Sequence, residues 1–385
     1  MLKIFDLIDP IQYTRVWQAL YRRPRAALAI FAAVSCLALL APYIVRNDTE
    51  TVYRYWDGPN YAYLAKTLYF VPAQHPLSPY SQPEYFAAHL PIYPLSIKLL
   101  SLTGLSYNAA MLAATILYTI GATLVLFQLL SETRLVQSPF WSALIALFIP
   151  ARYLIYHSVG ATEAPFIFFT LYSLLCYLRG QYITAFILGG ISGITRITGV
   201  LIGIVYLLQL IYERKYKLIL WLPIIGLPLL ATFVFYYFHY GDFFAYFGVN
   251  LSNKNSLLHA IPIDIFRLYC NVGEAQTAEF FLVMYAAYGA GVCLLWSKNK
   301  LLFFYSLVIF VFSLFLFHQD ISRYLIPLAP LALVTAYDSI LSNRIVKWAM
   351  VFYVGLSYIY AWGMIPHNLC VDWVYNNLLL DLQAK

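Results

Sequence analysis

About ten apolar runs of roughly 20 residues each recur along this chain, the length a helix needs to cross a hydrocarbon core. No other feature constrains the fold as much. Inside a bilayer every backbone polar group must be paired within the protein, which leaves helices and closed barrels as the only spanning structures. Barrel strands would alternate in polarity over about 9 to 11 residues, and no such alternation repeats here. Hydrophobic residues make up 62% of the 385 residues and charged ones 11%, against roughly 45–50% and 25% in an ordinary soluble domain. The expected fold is therefore all-α, a single polytopic membrane bundle over residues 1–385 with about 10 to 11 transmembrane segments. The first run, Ala26 to Val45, is a full span with no small-residue cleavage pattern after it, so it reads as retained rather than as a signal peptide.

Charge sets the expected orientation. The formal net charge is +7, but the basic residues are scattered between apolar runs, as topology requires and nucleic-acid binding does not. Lys3, Arg15, Arg22, Arg23 and Arg25 place the N-terminus inside. Residues 46–106 then form a first outer loop with two expected amphipathic surface helices, one carrying Tyr61, Leu64, Ala65 and Leu68 on one face, the other starting at Pro94 and stopping at Gly104. Spans are expected at 107–130, 139–156 and 163–179, followed by a hairpin of two short helices over 183–212 with Arg196 near its apex. A span at 218–239 leads to a second outer loop, 240–279, and four more spans at 280–296, 301–317, 322–341 and 347–365. Arg134, Arg179, Lys298, Lys300, Arg344 and Lys347 all fall inside on this count, and the tail from Pro366 falls outside. Of the five cysteines, Cys36, Cys176 and Cys293 lie in apolar runs as small hydrophobes, while outer placement of Cys270 and Cys370 permits a disulfide without requiring one. Asn47-Asp48-Thr49 and Asn250-Leu251-Ser252 are glycosylation-type triplets on the same side.

Charges at or near membrane depth are costly and select the candidate site residues: Asp57, Glu163, Arg196, Asp320 and Arg323, all on the outer side. Asp57 lies in Tyr53-Arg54-Tyr55-Trp56-Asp57-Gly58-Pro59-Asn60-Tyr61, where Gly58-Pro59 opens a helix. It is either a base among the aromatics Trp56 and Tyr61 or an acid offsetting the helix dipole. His89-Leu90-Pro91-Ile92-Tyr93-Pro94 is a proline-fixed turn before the second surface helix. Glu163 opens a span, where a dipole role and a functional one fit equally. Arg196 needs Asp57, Glu163 or a ligand phosphate as partner. Arg323 can pair with Asp320 or extend to the interface. No phosphate-cradling glycine loop, metal-ligand cluster or serine elbow is present, which disfavours soluble-nucleotide chemistry, and no metal or cofactor is expected.

In this order, Trp56-Asp57-Gly58 with Tyr61, His89 to Pro94, Thr162-Glu163, Thr195-Arg196 with Gly199, and Arg323-Tyr324 resemble the GT-C superfamily of membrane glycosyltransferases. The nearest likeness is to the family of the second GPI mannosyltransferase and its prokaryotic relatives, over about residues 40–335, although His89-Leu90-Pro91 stands where that family has Phe-Phe-Pro. The resemblance implies transfer of a sugar, typically mannose, from a polyprenyl-phosphate donor to an acceptor on the outer or lumenal face. It implies Asp57 as the base, Arg196 and Arg323 on the donor phosphate, and Trp56, Tyr61, His89, Glu163 and Asp320 about the substrates. The acceptor would be a glycan, glycolipid or protein, and the location a bacterial inner membrane or, alternatively, the endoplasmic reticulum. A polytopic transporter or lipid flippase is the competing reading; it predicts matching halves with midplane charges, whereas here no inverted repeat is seen and the acids gather at one face.

Overall fold

The computed structural model describes residues 22–79, 82–251, 258–318 and 320–383. Lys3, Arg15, Ser252 and Gln319 lie outside them. Among the described residues the chain is helical, with no strand beyond two isolated bridges, Tyr55 to Leu369 and Leu258 to Leu316. Five helices are long and apolar enough to cross a membrane, at Pro24–Val45, Tyr107–Thr133, Tyr216–Tyr240, Gln276–Lys298 and Arg344–His367. Their outward residues are apolar, including Ile30, Val34, Leu230, Phe238, Val283, Phe352 and Ile359. A soluble protein would expose few such faces, and lipid is what they suit. This is an α-helical membrane protein.

In chain order the helices are α1 (Pro24–Val45), α2 (Thr49–Tyr53), α3 (Gly58–Thr67), α4 (Ile92–Ser101), α5 (Tyr107–Thr133), α6 (Pro139–Ile145), α7 (Ala151–Ile155), α8 (Glu163–Leu178), α9 (Tyr182–Gly193) and α10 (Ile202–Tyr212). They continue as α11 (Tyr216–Ile219), α12 (Leu227–Tyr240), α13 (Ala245–Leu251), α14 (Asp264–Asn271), α15 (Ala275–Lys298), α16 (Lys300–Leu314), α17 (Ile321–Tyr324), α18 (Asp338–Leu341), α19 (Arg344–Met364) and α20 (Asp372–Gln383). Helix α5 is the central post. Ser106 caps it by accepting from the Ala109 N–H, and its small residues let α1, α3, α4 and α8 approach; Gly121 leaves room for the Phe168 ring.

Two expected spans are broken. Residues 139–156 divide into α6 and α7, because Pro150 lacks an N–H and its ring collides with the preceding turn. Residues 322–341 become α17, a 3₁₀ turn, the π-helical segment Pro330–Thr335 and α18, with Pro327 and Pro330 each removing a ladder donor. The hairpin over 183–212 forms as two helices lying side by side: Ser173 Oγ bonds both the Ala185 carbonyl on α9 and the Tyr206 hydroxyl on α10. Gly189 faces Ile202 and Gly199 sits on the Ser192 backbone, so glycine closes the hairpin around Arg196.

The first surface helix is corrected. In α3 not only Tyr61, Leu64 and Ala65 but also Ala62 and Tyr63 are buried, because α4, α5 and α20 enclose it; it is an internal helix, not one lying on lipid. Helix α4 starts at Ile92 rather than Pro94 and does expose Leu95 and Leu99 together, with Leu102 just beyond its end and Gly104 in the left-handed region at φ +94°. Cys270 and Cys370 are unpaired, the first on α14 and the second before α20.

The ends of the bundle differ in charge. Glu132 on α5 takes two hydrogen bonds from Arg179 at the end of α8, Tyr177 reaches Glu213 after α10, and Tyr212 touches Phe304 on α16. Lys298 donates to the Thr335 carbonyl at the same end. Residues carrying Arg134, Arg179, Lys215 and Lys298 thus gather away from Asp57 and Glu163.

Candidate active site

The local backbone fixes Asp57 first. Helix α3 begins at Gly58, and Asp57 occupies its N-cap position without its side chain accepting a hydrogen bond from the helix N–H groups. This carboxylate therefore does not cap the helix by a hydrogen bond. It turns instead toward Arg323 Nη2, 3.7 Å away, and His89 Nε2, 3.9 Å away. Both distances exceed hydrogen-bond length, so its acceptor lone pairs are uncommitted among the described residues. Just before it, Trp56 has φ +40°, a region non-glycine residues seldom adopt. Strain of this kind persists only where neighbours enforce it. Here the Trp56 N–H donates to the Asn368 carbonyl at 2.9 Å and the Cys370 N–H to the Arg54 carbonyl at 2.9 Å.

Beneath Asp57 lies a buried ionic knot. Glu163, at the start of α8, is fully buried, and its Oε1 accepts from Arg196 Nη1 at 2.6 Å and from Arg323 Nε at 2.5 Å. Where the sequence left a dipole role and a functional one equally open, the structure shows a first-turn carboxylate shared by two guanidiniums from distant elements. Arg196 also reaches Thr162 Oγ1, and its remaining nitrogens have no hydrogen bond among the described residues. Arg323 rests over the Tyr156 ring and Arg196 over Tyr324. Asp57, Glu163, Arg196 and Arg323 together are formally neutral, which is how four charges can share a low-dielectric site.

Arg323 does not pair with Asp320. Asp320 is bound by Arg152 of α7, which also donates to Ser322 Oγ at 2.9 Å. Sequence reasoning missed Arg152, although a guanidinium inside an apolar run is the same signal that selected Arg196. It also missed Tyr246 and Phe247, which nothing sets apart among the chain's abundant aromatics, and it noted Asn250 only for its glycosylation-type triplet.

A cavity of about 260 Å³ opens over the knot, lined by Trp56, Asp57, Tyr61, Arg196, Asp320 and Arg323, with Tyr246 and Asn250 from α13 as its far wall. Glu163 lies below that surface, and His89 stands behind Asp57 with its ring edge-on to Tyr61 at 5.1 Å. Burial, reinforced by Asp57, holds the Tyr61 phenol well above its ordinary pKa, so it stays a neutral donor. Burial also depresses the His318 imidazole, whose Nδ1 accepts from the Asp320 N–H at 3.0 Å. A second cavity, about 320 Å³, lies on the other side of Trp56 and Asp57, lined by Asn60, Leu77, Tyr85, Leu369, Cys370 and Val371. Tyr85 is pushed up to about 12 by burial and the Asp57 charge. Asp57 is thus in the wall common to a cavity that also holds Arg196, Arg323 and Asp320 and a cavity with no other charged side chain in its lining. No group of three or more metal-binding side chains occurs among the described residues. Comparison with known protein families, with curated proteins and with solved structures finds no match.

Proposed function

We propose that this protein is a membrane glycosyltransferase of the GT-C kind, moving a sugar, mannose being the first candidate, from a polyprenyl-phosphate donor to an acceptor hydroxyl. The observation that carries this reading is the position of Asp57: an uncommitted carboxylate between a cavity with two arginines and a cavity with none. The donor phosphate lies against Arg196 and Arg323, whose planar forks suit phosphate oxygens. The acceptor hydroxyl comes from the other side. Asp57 takes its proton as the oxygen bonds to the anomeric carbon, and the bond from that carbon to the phosphate oxygen breaks on the opposite face. The leaving lipid phosphate keeps the electron pair and is stabilised by the guanidiniums, so the anomeric configuration inverts. Trp56, Tyr61, His89 and Asp320 surround the reacting sugars, and Glu163 fixes the two arginines.

In this reading the shorter apolar helices α8, α9, α10 and α16 and the two broken segments over 139–156 and 322–341 join the five long ones to complete a bundle of about 11 membrane segments, whose basic end is cytoplasmic. The cavities then open on the outer face of a bacterial inner membrane, or on the lumen should the source be eukaryotic. Gathering of the charges at one end, opposite Arg179 and Lys298, favours transfer at an interface over carriage through a midplane site, so the transporter or flippase reading is second. The test is transfer of labelled sugar from synthetic polyprenyl-phosphate-mannose by purified protein, beside Asp57→Asn checked for folding by gel filtration. Wild type should transfer, and the folded variant should lose about 10²- to 10⁴-fold. Equal rates in the two proteins would remove Asp57 from the role of base.

A further inference from the structure

The cavity opposite the arginines has a wall that comes from the far end of the chain. Residues 368–372 run alongside 54–56, pinned by the Tyr55 to Leu369 bridge, by the two backbone hydrogen bonds above, and by Arg54, whose Nε and Nη2 donate to the Cys370 carbonyl at 3.1 and 2.7 Å. Arg54 also pairs with Asp372, and the Asn108 amide donates to the Tyr375 hydroxyl at 2.9 Å, so α20 is anchored behind the strap. The strap brings Leu369, Cys370 and Val371 to face Asn60 and Tyr85 across a cavity of about 320 Å³, the low end of the range of about 300–1,000 Å³ for small-molecule sites. Asp57 is the one charged residue in that lining. The nearby cations are spent elsewhere, Arg54 on the strap and Lys66 on Asp381. An anion entering would meet a carboxylate and no counter-charge. An uncharged polyol would meet an indole face, a phenol, an amide and a carboxylate acceptor.

We propose that the C-terminal strap, residues 368–372, is the specificity wall of an acceptor site that takes an uncharged, hydroxyl-rich sugar and excludes phosphorylated ones. This rests on the glycosyltransferase reading for the word acceptor, but the site itself is tested without turnover. Cys370 in the wall is a free thiol, and Cys270 outside it is an internal control. Wild-type protein in lipid nanodiscs is treated with a maleimide, and modification of each cysteine is followed by peptide mass spectrometry. The additives are the methyl glycosides of mannose, glucose and galactose, each beside its sugar 6-phosphate. At least one glycoside should slow Cys370 modification about fivefold at roughly four times its dissociation constant, with Cys270 unchanged and the matching phosphate without effect. Val371→Trp, on an exposed position that fills the cavity, should abolish the protection. No protection by any glycoside, equal protection by the phosphates, or protection surviving Val371→Trp overturns the proposal. Protection without any sugar transfer in the preceding assay would keep the site and discard the transferase reading.

Discussion

Glu163 holds two guanidiniums on one oxygen, and at the residue scale this makes it the most consequential side chain in the protein after Asp57. A buried ion pair adds little net stability when intact, because desolvation offsets attraction, but removing one partner leaves a buried charge uncompensated. Glu163→Gln keeps the shape and deletes the charge that both arginines use. It should destabilise the protein by roughly 3–5 kcal/mol, read as a lowered melting temperature in detergent. An unchanged melt would mean that Asp57, already near Arg323, takes over the pairing. The candidates Asp57, Glu163, Arg196 and Arg323 were legible from the rule that charge at membrane depth is seldom idle. Their pairing was not, since Asp320 lies three positions from Arg323 in sequence yet is claimed by Arg152.

At the scale of elements, the hairpin of α9 and α10 decides where Arg196 stands. Its apex has no slack: a Cβ on Gly199 would lie 2.4 Å from the Ser192 carbonyl carbon and 2.6 Å from the Gly193 nitrogen, backbone atoms that cannot step aside. Gly199→Ala should therefore cost about 1–3 kcal/mol and reduce transfer by displacing Arg196, whereas Gly226→Ala, with nothing within 4 Å, should leave stability and transfer unchanged. Thermal recovery by gel filtration together with the transfer assay distinguishes them, and equal behaviour of the two variants would remove the hairpin from the positioning role. The turn at 194–199 was readable because Gly189, Gly190, Gly193 and Gly199 interrupt an apolar run too long for one span. The enclosure of α3 was not, since its Tyr61, Leu64 and Ala65 stripe looks the same whether lipid or α5 lies against it.

For the whole molecule, the separation of the basic end from the cavity end makes orientation measurable. Gln74 is exposed in the first loop and Lys217 in α11, the short helix that follows α10. In a background with Cys270, Cys293 and Cys370 replaced by serine, a membrane-impermeant maleimide should label Gln74→Cys in intact cells, and Lys217→Cys only after permeabilisation. The reverse result would put the cavities in the cytoplasm and remove the outer-face reading.

Apolar run length and the scarcity of charge determined, from sequence alone, that the chain is helical and belongs in a membrane, because a bilayer core tolerates no unpaired backbone and few uncompensated charges. The same economy pointed to the few side chains worth watching. Tertiary structure decided how they combine. Only the fold brings residue 163 between 196 and 323, passes 152 to 320, and carries 369–371 across the chain to stand beside Asp57. Such contacts depend on how helices from remote parts of the chain pack, and local periodicity reports a face without naming what will cover it.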